Sequence, residues 1–385
     1  KQTQETPLTR PITKRLRTVG LGALLVGFLG ALPLLSNSST KVQAAPATFT
    51  VTNTNDSGAG SLRAAIEAAN ANGNPSDQDV ISFDINSDIP ATYNIRPASS
   101  YDITESVLID GYTQSDATMN TAVFPEPLNG VIRIELEFSG AGLIDVTAPN
   151  VTIQGLAIGH TYSDMISDGV IRANGADNFE LFGTYIGTDA IGNTWSATDD
   201  GTNDQTVVEI INSNNVSIGS FAPGHRNVIG LCDGVCIGAR TESAGVVENL
   251  LIQGNYIGVA ADGIMSLQAS GGDLGIKLEE GVVNAQIGGS GEGEGNFIAN
   301  MADGALWADR SDGLSMYGNL VFNNRPVLQN GNSAVFIAGS VNTTVGGTTT
   351  GSKNRFGGSD AGSLEFANST IDNSSSQDGL VSGNT

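Results

Sequence analysis

Cysteine is nearly absent from this chain: Cys232 and Cys236 are the only two, too few for a disulfide scaffold. The fold must therefore stand on a packed core. The pair could close a small local loop or remain as free thiols, and a zinc site would need two further ligands that nothing nearby offers. Histidine is as scarce. His160 and His225 alone could supply imidazole chemistry, and neither sits in a nucleophile motif. Positive charge is the third shortage: the chain has 17 basic residues against 40 acidic ones. Six of the basic residues, but only Glu5 of the acidic ones, precede Ala45, which leaves 11 against 39 beyond it and a net charge near −28. Such a surface repels nucleic acid and anionic lipid, so nucleic-acid binding is excluded as a function class.

Long apolar runs are also missing, with one exception. An uncharged stretch from Val19 to Leu35 follows Lys14, Arg15 and Arg17, and the small-residue site Val42-Gln43-Ala44 comes after a polar interval. That order predicts a secretory signal peptide over residues 1–44, cut after Ala44. An uncleaved anchor is the alternative, weakened by Gly22, Gly27, Gly30 and Pro33. The predicted location is therefore secreted or cell-surface, with membrane attachment only through this segment or through an anchor beyond Thr385. The chain begins at Lys1 and ends within a repeat at Gly383-Asn384-Thr385, so truncation at both ends is expected.

What the chain has in abundance is glycine, 50 residues, arranged in a repeat that dominates from Gly142 onward. One unit is a short apolar strand, a turn into an Asn-x-x-Ile-x-Gly segment, and often a third Asn-x-Ile-Gly-like strand. The second part begins at Asn150, Asn178, Asn215, Asn249, Asn284, Gly313, Asn342 and Asp378. Strands before it start at Gly142, Gly169, Thr206, Gly234, Leu274, Gly304, Ser333 and Gly362. Two positions later stand Ile144, Ile171, Val208, Cys236, Ile276, Leu306, Val335 and Leu364, and two further Val146, Ala173, Ile210, Gly238, Leu278, Ala308, Ile337 and Phe366. Alternate residues of this strand thus point inward. Ile153, Leu181, Ile218, Ile252, Ile287, Met316, Val345 and Val381 do the same in the second strand.

No single coil can bury two or three inward side chains alone, whereas coils stacked at ~4.8 Å form a continuous core, which makes the pairing parallel. The asparagine column suits a sharp left-handed bend and can hydrogen-bond to itself from coil to coil. Leucine-rich repeats would show leucine periodicity and β-propellers four antiparallel strands per blade, and neither pattern is present. The reading is an all-β parallel β-helix, a solenoid with a short N-terminal capping helix. In that helix Leu62, Ala65, Ile66 and Ala69 fall at i, i+3, i+4 and i+7. The predicted organisation is signal peptide 1–44, cap and first irregular coils 45–141, and regular coils 142–385. Early strands are expected near Val80 to Ile85, Val107 to Ile109 and Val131 to Phe138.

The run Ser61-Leu62-Arg63-Ala64-Ala65-Ile66 resembles the Ser-Leu-Arg-Glu-Ala-Ile element of bacterial secreted right-handed parallel β-helix proteins, departing from it at the acidic position. The likeness continues through Leu108-Ile109-Asp110-Gly111-Tyr112, Tyr185-Ile186-Gly187-Thr188-Asp189 and Asn227-Val228-Ile229-Gly230. It implies a right-handed coil, an extracellular setting and a polysaccharide or cell-surface ligand. The group is defined by its repeats rather than by one activity.

Three places invite chemistry. The outward column reads Asp145, Arg172, Glu209, Ile237, Lys277, Trp307, Phe336 and Glu365. Its first members alternate in sign, as lateral charge pairs on an exposed sheet would. Lys277, Trp307 and Phe336 on successive coils could stack on sugar rings while the cation holds an acidic group, or pack beneath a loop. Asp199, Asp200 and Asp204 form an oxygen-rich insertion that could take calcium, although their spacing is not that of a twelve-residue calcium loop and solvated charge is the plainer account. No other cofactor is implied. Gly224-His225-Arg226 is faintly similar to a motif of pectin-cleaving hydrolases, but the companion Asp-rich elements are missing, which makes His225 a turn residue. The expected function is a non-catalytic extracellular module for adhesion or glycan binding. The competing class is a polysaccharide lyase or glycoside hydrolase, which would need two carboxylates and a base gathered on one face.

Overall fold

The computed structural model describes residues 45–385 apart from 74–77, 87–91, 140–141, 162–168, 194–204, 233, 268–273, 325–332, 359–361, 368–379 and 382–385. The expected signal peptide, the candidate calcium ligands Asp199, Asp200 and Asp204, and the last bend residue Asp378 lie outside the described residues. Among those described, no helix is long and apolar enough to cross a membrane. Gln43–Thr385 forms one compact unit.

From Asp79–Phe83 onward the chain winds through three long parallel sheets in rotation, and Val247–Glu248 pairs with Val282–Val283 in a further two-stranded sheet. Sheet I has 11 strands, from Thr48–Val51 to Leu380–Val381. Sheets II and III have nine each, running from Tyr93–Ile95 to Arg355–Gly357 and from Tyr101–Ile103 to Gly362–Ala367. This is a right-handed parallel β-helix, the hand that parallel crossovers almost always take. Tyr93–Ile95 and Tyr101–Ile103 are strands of the first coils that the sequence pattern does not announce, because each offers only two apolar positions.

The register confirms the interior columns. In sheet I, Ile81, Ile109, Ile153, Leu181, Ile218, Ile252, Ile287, Met316, Val345 and Val381 are successive partners, and those from Ile81 to Val345 are all but inaccessible to water. Each such side chain contributes roughly 1.5–3 kcal/mol of burial. The sheet III columns hold too, with one correction: Thr206 pairs with Val235 and Val208 with Ile237, so this coil starts at Val235 rather than Gly234. Ile237 and Ala239 take the inward places expected for Cys236 and Gly238, and Gly238 takes the outward place expected for Ile237. Cys236, the third residue of the strand Gly234–Arg240, is fully buried and joined by a disulfide to Cys232, with Cα atoms 5.2 Å apart.

Helix α1 (Leu62–Asn72) covers the first coil and contacts the first strands of sheets I and III. Leu62, Ala65, Ile66 and Ala69 are its buried residues, and the Ser61 hydroxyl accepts the Ala64 N–H at its start. Arg63 explains its place in the motif: it donates to the carbonyls of Ser99 and Ser100 at 2.9 Å, pairs with Asp56 at 3.0 Å and lies over the Tyr101 ring. The helix is thereby tied to the coil beneath.

Asparagines at the bends form two ladders. The expected one is left-handed at every described member, with φ of 55–60° at Asn150, Asn178, Asn215, Asn249, Asn284 and Asn342 and 71° at Gly313. Asn178 donates to Asn150 at 2.9 Å and Asn249 to Asn215 at 3.0 Å. A second, buried ladder opens the sheet II strands. Asn227, Asn255, Asn296, Asn319 and Asn354 are fully enclosed, each amide donating to the next side-chain oxygen at 2.8–3.0 Å.

Candidate functional site

The outer face of sheet III carries the column Asp145, Arg172, Glu209, Gly238, Lys277, Trp307 and Phe336, and Glu365 follows in backbone register. Its first part is a charge ladder: Arg172 holds Asp145 through two bonds at 3.0 and 2.9 Å. Glu209 is met by Arg240 at 2.7 Å, since its column neighbour is a glycine.

Lys277, Trp307 and Phe336 are lateral neighbours as the columns predict, but they do not present three equivalent faces. Phe336 is only 5% exposed and packs with Leu274 against Trp307, so it is a support rather than a stacking surface. Trp307 is half-buried, and the Lys277 ammonium lies 5.4 Å from the centre of its ring. That ammonium also pairs with Glu279 at 2.6 Å.

A cleft of about 560 Å³ opens beside Trp307, walled by the turns that leave three successive coils. Thr241 and Ser243 come from the first turn, Glu279, Glu280 and Gly281 from the second, Asp309 and Arg310 from the third. The first two turns are joined by a bond from the Thr241 hydroxyl to the Glu280 carbonyl at 3.1 Å. Gly281 has φ of 90°, and a β-carbon there would come within 2.7 Å of the Thr241 methyl. Only glycine lets these turns approach so closely.

The third turn holds a strained residue. The first position after the sheet III strand is left-handed at Gly175, Asn212 and Gly339, residue types that adopt this conformation readily, and at Arg310, with φ of 49°, which does not. An arginine there costs about 1 kcal/mol relative to the usual occupants. Its guanidinium reaches Glu280 at 3.1 Å and Asp309 at 3.3 Å, while its buried Nε has no hydrogen-bond partner among the described residues.

The cleft therefore gathers an aromatic face, two cations, three carboxylates and two hydroxyls. It brings carboxylates and cations together on one face, with the side chains of Glu279 and Glu280 41% and 70% exposed. The carboxyls that burial pushes up lie elsewhere. Asp110 accepts from the Tyr112 N–H, Glu135 from the Ala190 N–H, and Asp303 sits at the turn into sheet III. His225 closes a turn: its ring stacks on Phe182 at 4.1 Å, and its Nδ1 is 3.0 Å from the Ser220 hydroxyl, which accepts the Ala222 N–H. Burial lowers its pKa, with Glu180 opposing. His160 is enclosed beside Phe138. No cluster of three metal-ligating side chains occurs among the described residues.

Sequence columns locate Lys277 and Trp307 but miss Glu279, Glu280, Asp309 and Arg310, which lie at strand ends and turns where coil alignment fades. The available signal was Arg310 itself, standing where other coils bend through Gly or Asn.

No family model matches the chain, and no curated protein matches it. Among solved structures, the Dettilon tailspike protein aligns with 80% of this chain at 13% identity and a TM-score of 0.32, and the chain spans 64% of its length. The A-module of the Azotobacter vinelandii mannuronan C-5 epimerase AlgE4 aligns over 87% of this chain and 100% of its own at 10% identity, with a TM-score of 0.32. The corresponding AlgE6 module aligns over 84% and 93%, also at 10% identity, with a TM-score of 0.30.

Proposed function

We propose that this β-helix is a non-catalytic module working outside the cell, secreted or held at a surface, that binds a polysaccharide in the cleft beside Trp307. The observation that carries the reading is the half-buried indole, backed by Phe336 and set among groups that exchange hydrogen bonds with sugar hydroxyls. An aromatic ring offers a sugar its flat apolar face, and charged groups around it make hydrogen bonds roughly twice as strong as neutral ones. Rigid strands, not loops, fix the indole, which lowers the ordering cost of binding.

The test is retention of the purified chain on immobilised polysaccharides, comparing native protein with Trp307→Ala. Loss of retention on the polysaccharides bound by the native chain supports the cleft. Equal retention by both forms on every polymer removes it. The same incubations, assayed for new reducing or unsaturated ends, check the non-catalytic part, since release of such ends would make the protein a degrading enzyme.

A further inference from the structure

The charges of the cleft are already engaged with one another. Lys277 is committed to Glu279 at 2.6 Å and to the Trp307 face, and Arg310 to Glu280 and Asp309 at 3.1 and 3.3 Å. Three carboxylates thus stand against two cations, on a chain that carries 39 acidic and 11 basic residues beyond residue 44. An anionic ligand would have to displace Glu279 or Glu280 from its partner and then sit beside the displaced carboxylate. The surrounding negative field would slow its approach as well.

An uncharged ligand meets no such opposition. Its hydroxyls donate to the three carboxylates, each of which has lone pairs beyond those used in its ion pair. The hydroxyls of Thr241 and Ser243 add groups that both donate and accept. A lining rich in acceptors calls for a ligand rich in donors.

We infer that the cleft takes a neutral, hydroxyl-rich polysaccharide and discriminates against uronate-bearing, sulfated or phosphorylated polymers. This rests on the polysaccharide reading above and narrows it: the cations order the carboxylates rather than capture an acidic sugar.

The experiment is affinity electrophoresis of the whole chain, native and Trp307→Ala, in gels holding neutral polymers (dextran, mannan, pullulan) or acidic ones (polygalacturonate, alginate, heparin). Solution titrations follow at about 50 and about 500 mM NaCl, which span strong and weak screening. At least one neutral polymer should retard the native chain, with a Kd that changes less than about threefold between the two salts and weakens at least about tenfold in Trp307→Ala. Binding only to acidic polymers, steeply salt-dependent and lost in Trp307→Ala, overturns the neutral assignment while leaving a glycan site in place. Indifference of every polymer to Trp307→Ala overturns both.

Discussion

A single side-chain amide illustrates how differently one residue type works at two bends of the same coil. Asn255 is fully enclosed; its Nδ2 donates to the Ile218 carbonyl at 2.8 Å and to Asn296 at 3.0 Å, and its Oδ1 accepts from Asn227 at 2.8 Å. Replacing it with Ala removes three buried hydrogen bonds, while the Ile218 carbonyl keeps the Gln253 N–H, the Asn296 oxygen keeps the backbone N–H of residue 255 and the Asn227 amide keeps the Leu181 carbonyl. At about 0.5–1.5 kcal/mol for each bond lost, Asn255→Ala is expected to cost roughly 2–4 kcal/mol in chemical denaturation. Asn249 also donates to its neighbour, but at the surface, and its special demand is a φ of 60°. Glycine meets that demand without strain. Asn249→Gly should stay within about 1 kcal/mol of the native chain, and a cost as large as that of Asn255→Ala would refute the distinction.

At the scale of strands and turns, the coil repeat is legible because inward residues must be apolar on every coil and bend residues must tolerate a left-handed backbone. Those demands mark the text at fixed offsets, as at Ile153, Leu181 and Ile218 beside Asn150, Asn178 and Asn215. Where a coil breaks its own spacing the pattern misleads. Gly234 imitates the glycine starts at Gly169 and Gly304, yet it pairs with Gln205, one residue before the start of the neighbouring coil. The cleft is hidden for a related reason: its charged residues sit on turns, whose composition no inward column constrains. Another feature beyond pattern reading is Arg226, 1% exposed, whose guanidinium lies over the Tyr256 ring and donates to the carbonyls of Ala122 and Glu126 at 2.9 Å. Tyr256 donates its hydroxyl to the same segment. Arg226 thus straps a loop some hundred residues away in sequence onto sheet II. Arg226→Ala should lower stability by about 3 kcal/mol, since bonds from a charged donor are worth about 1.5–3 kcal/mol each. It should also expose residues 120–128 to limited proteolysis before any other part of the coil stack. Unchanged cleavage there would show that the loop holds itself.

The molecule as a whole carries a charge near −28 beyond residue 44, and self-repulsion of that size works against the compact state. Raising NaCl from about 20 to about 300 mM should therefore raise Tm. Acid adds two opposed contributions. His225 has a lowered pKa because burial disfavours its cation. The unfolded chain then binds the proton more readily, so the stability present above about pH 6.5 is lost as pH falls toward the folded value. Asp110, Glu135 and Asp303 run the other way. Burial raises each above its ordinary value, so the folded chain takes up these protons first and gains stability as pH falls through the raised value. Asp303 isolates the second contribution, because burial is the cause of its shift among the described residues. Asp303→Asn keeps the shape and removes the buried charge. At about pH 7 the variant should melt above the native chain. As pH falls below 3.8, the ordinary value for this group, the native carboxyl is protonated in both states and the two Tm values should converge. A gap that persists unchanged into acid would mean that Asp303 destabilises through packing, and that burial of its charge is not the cause.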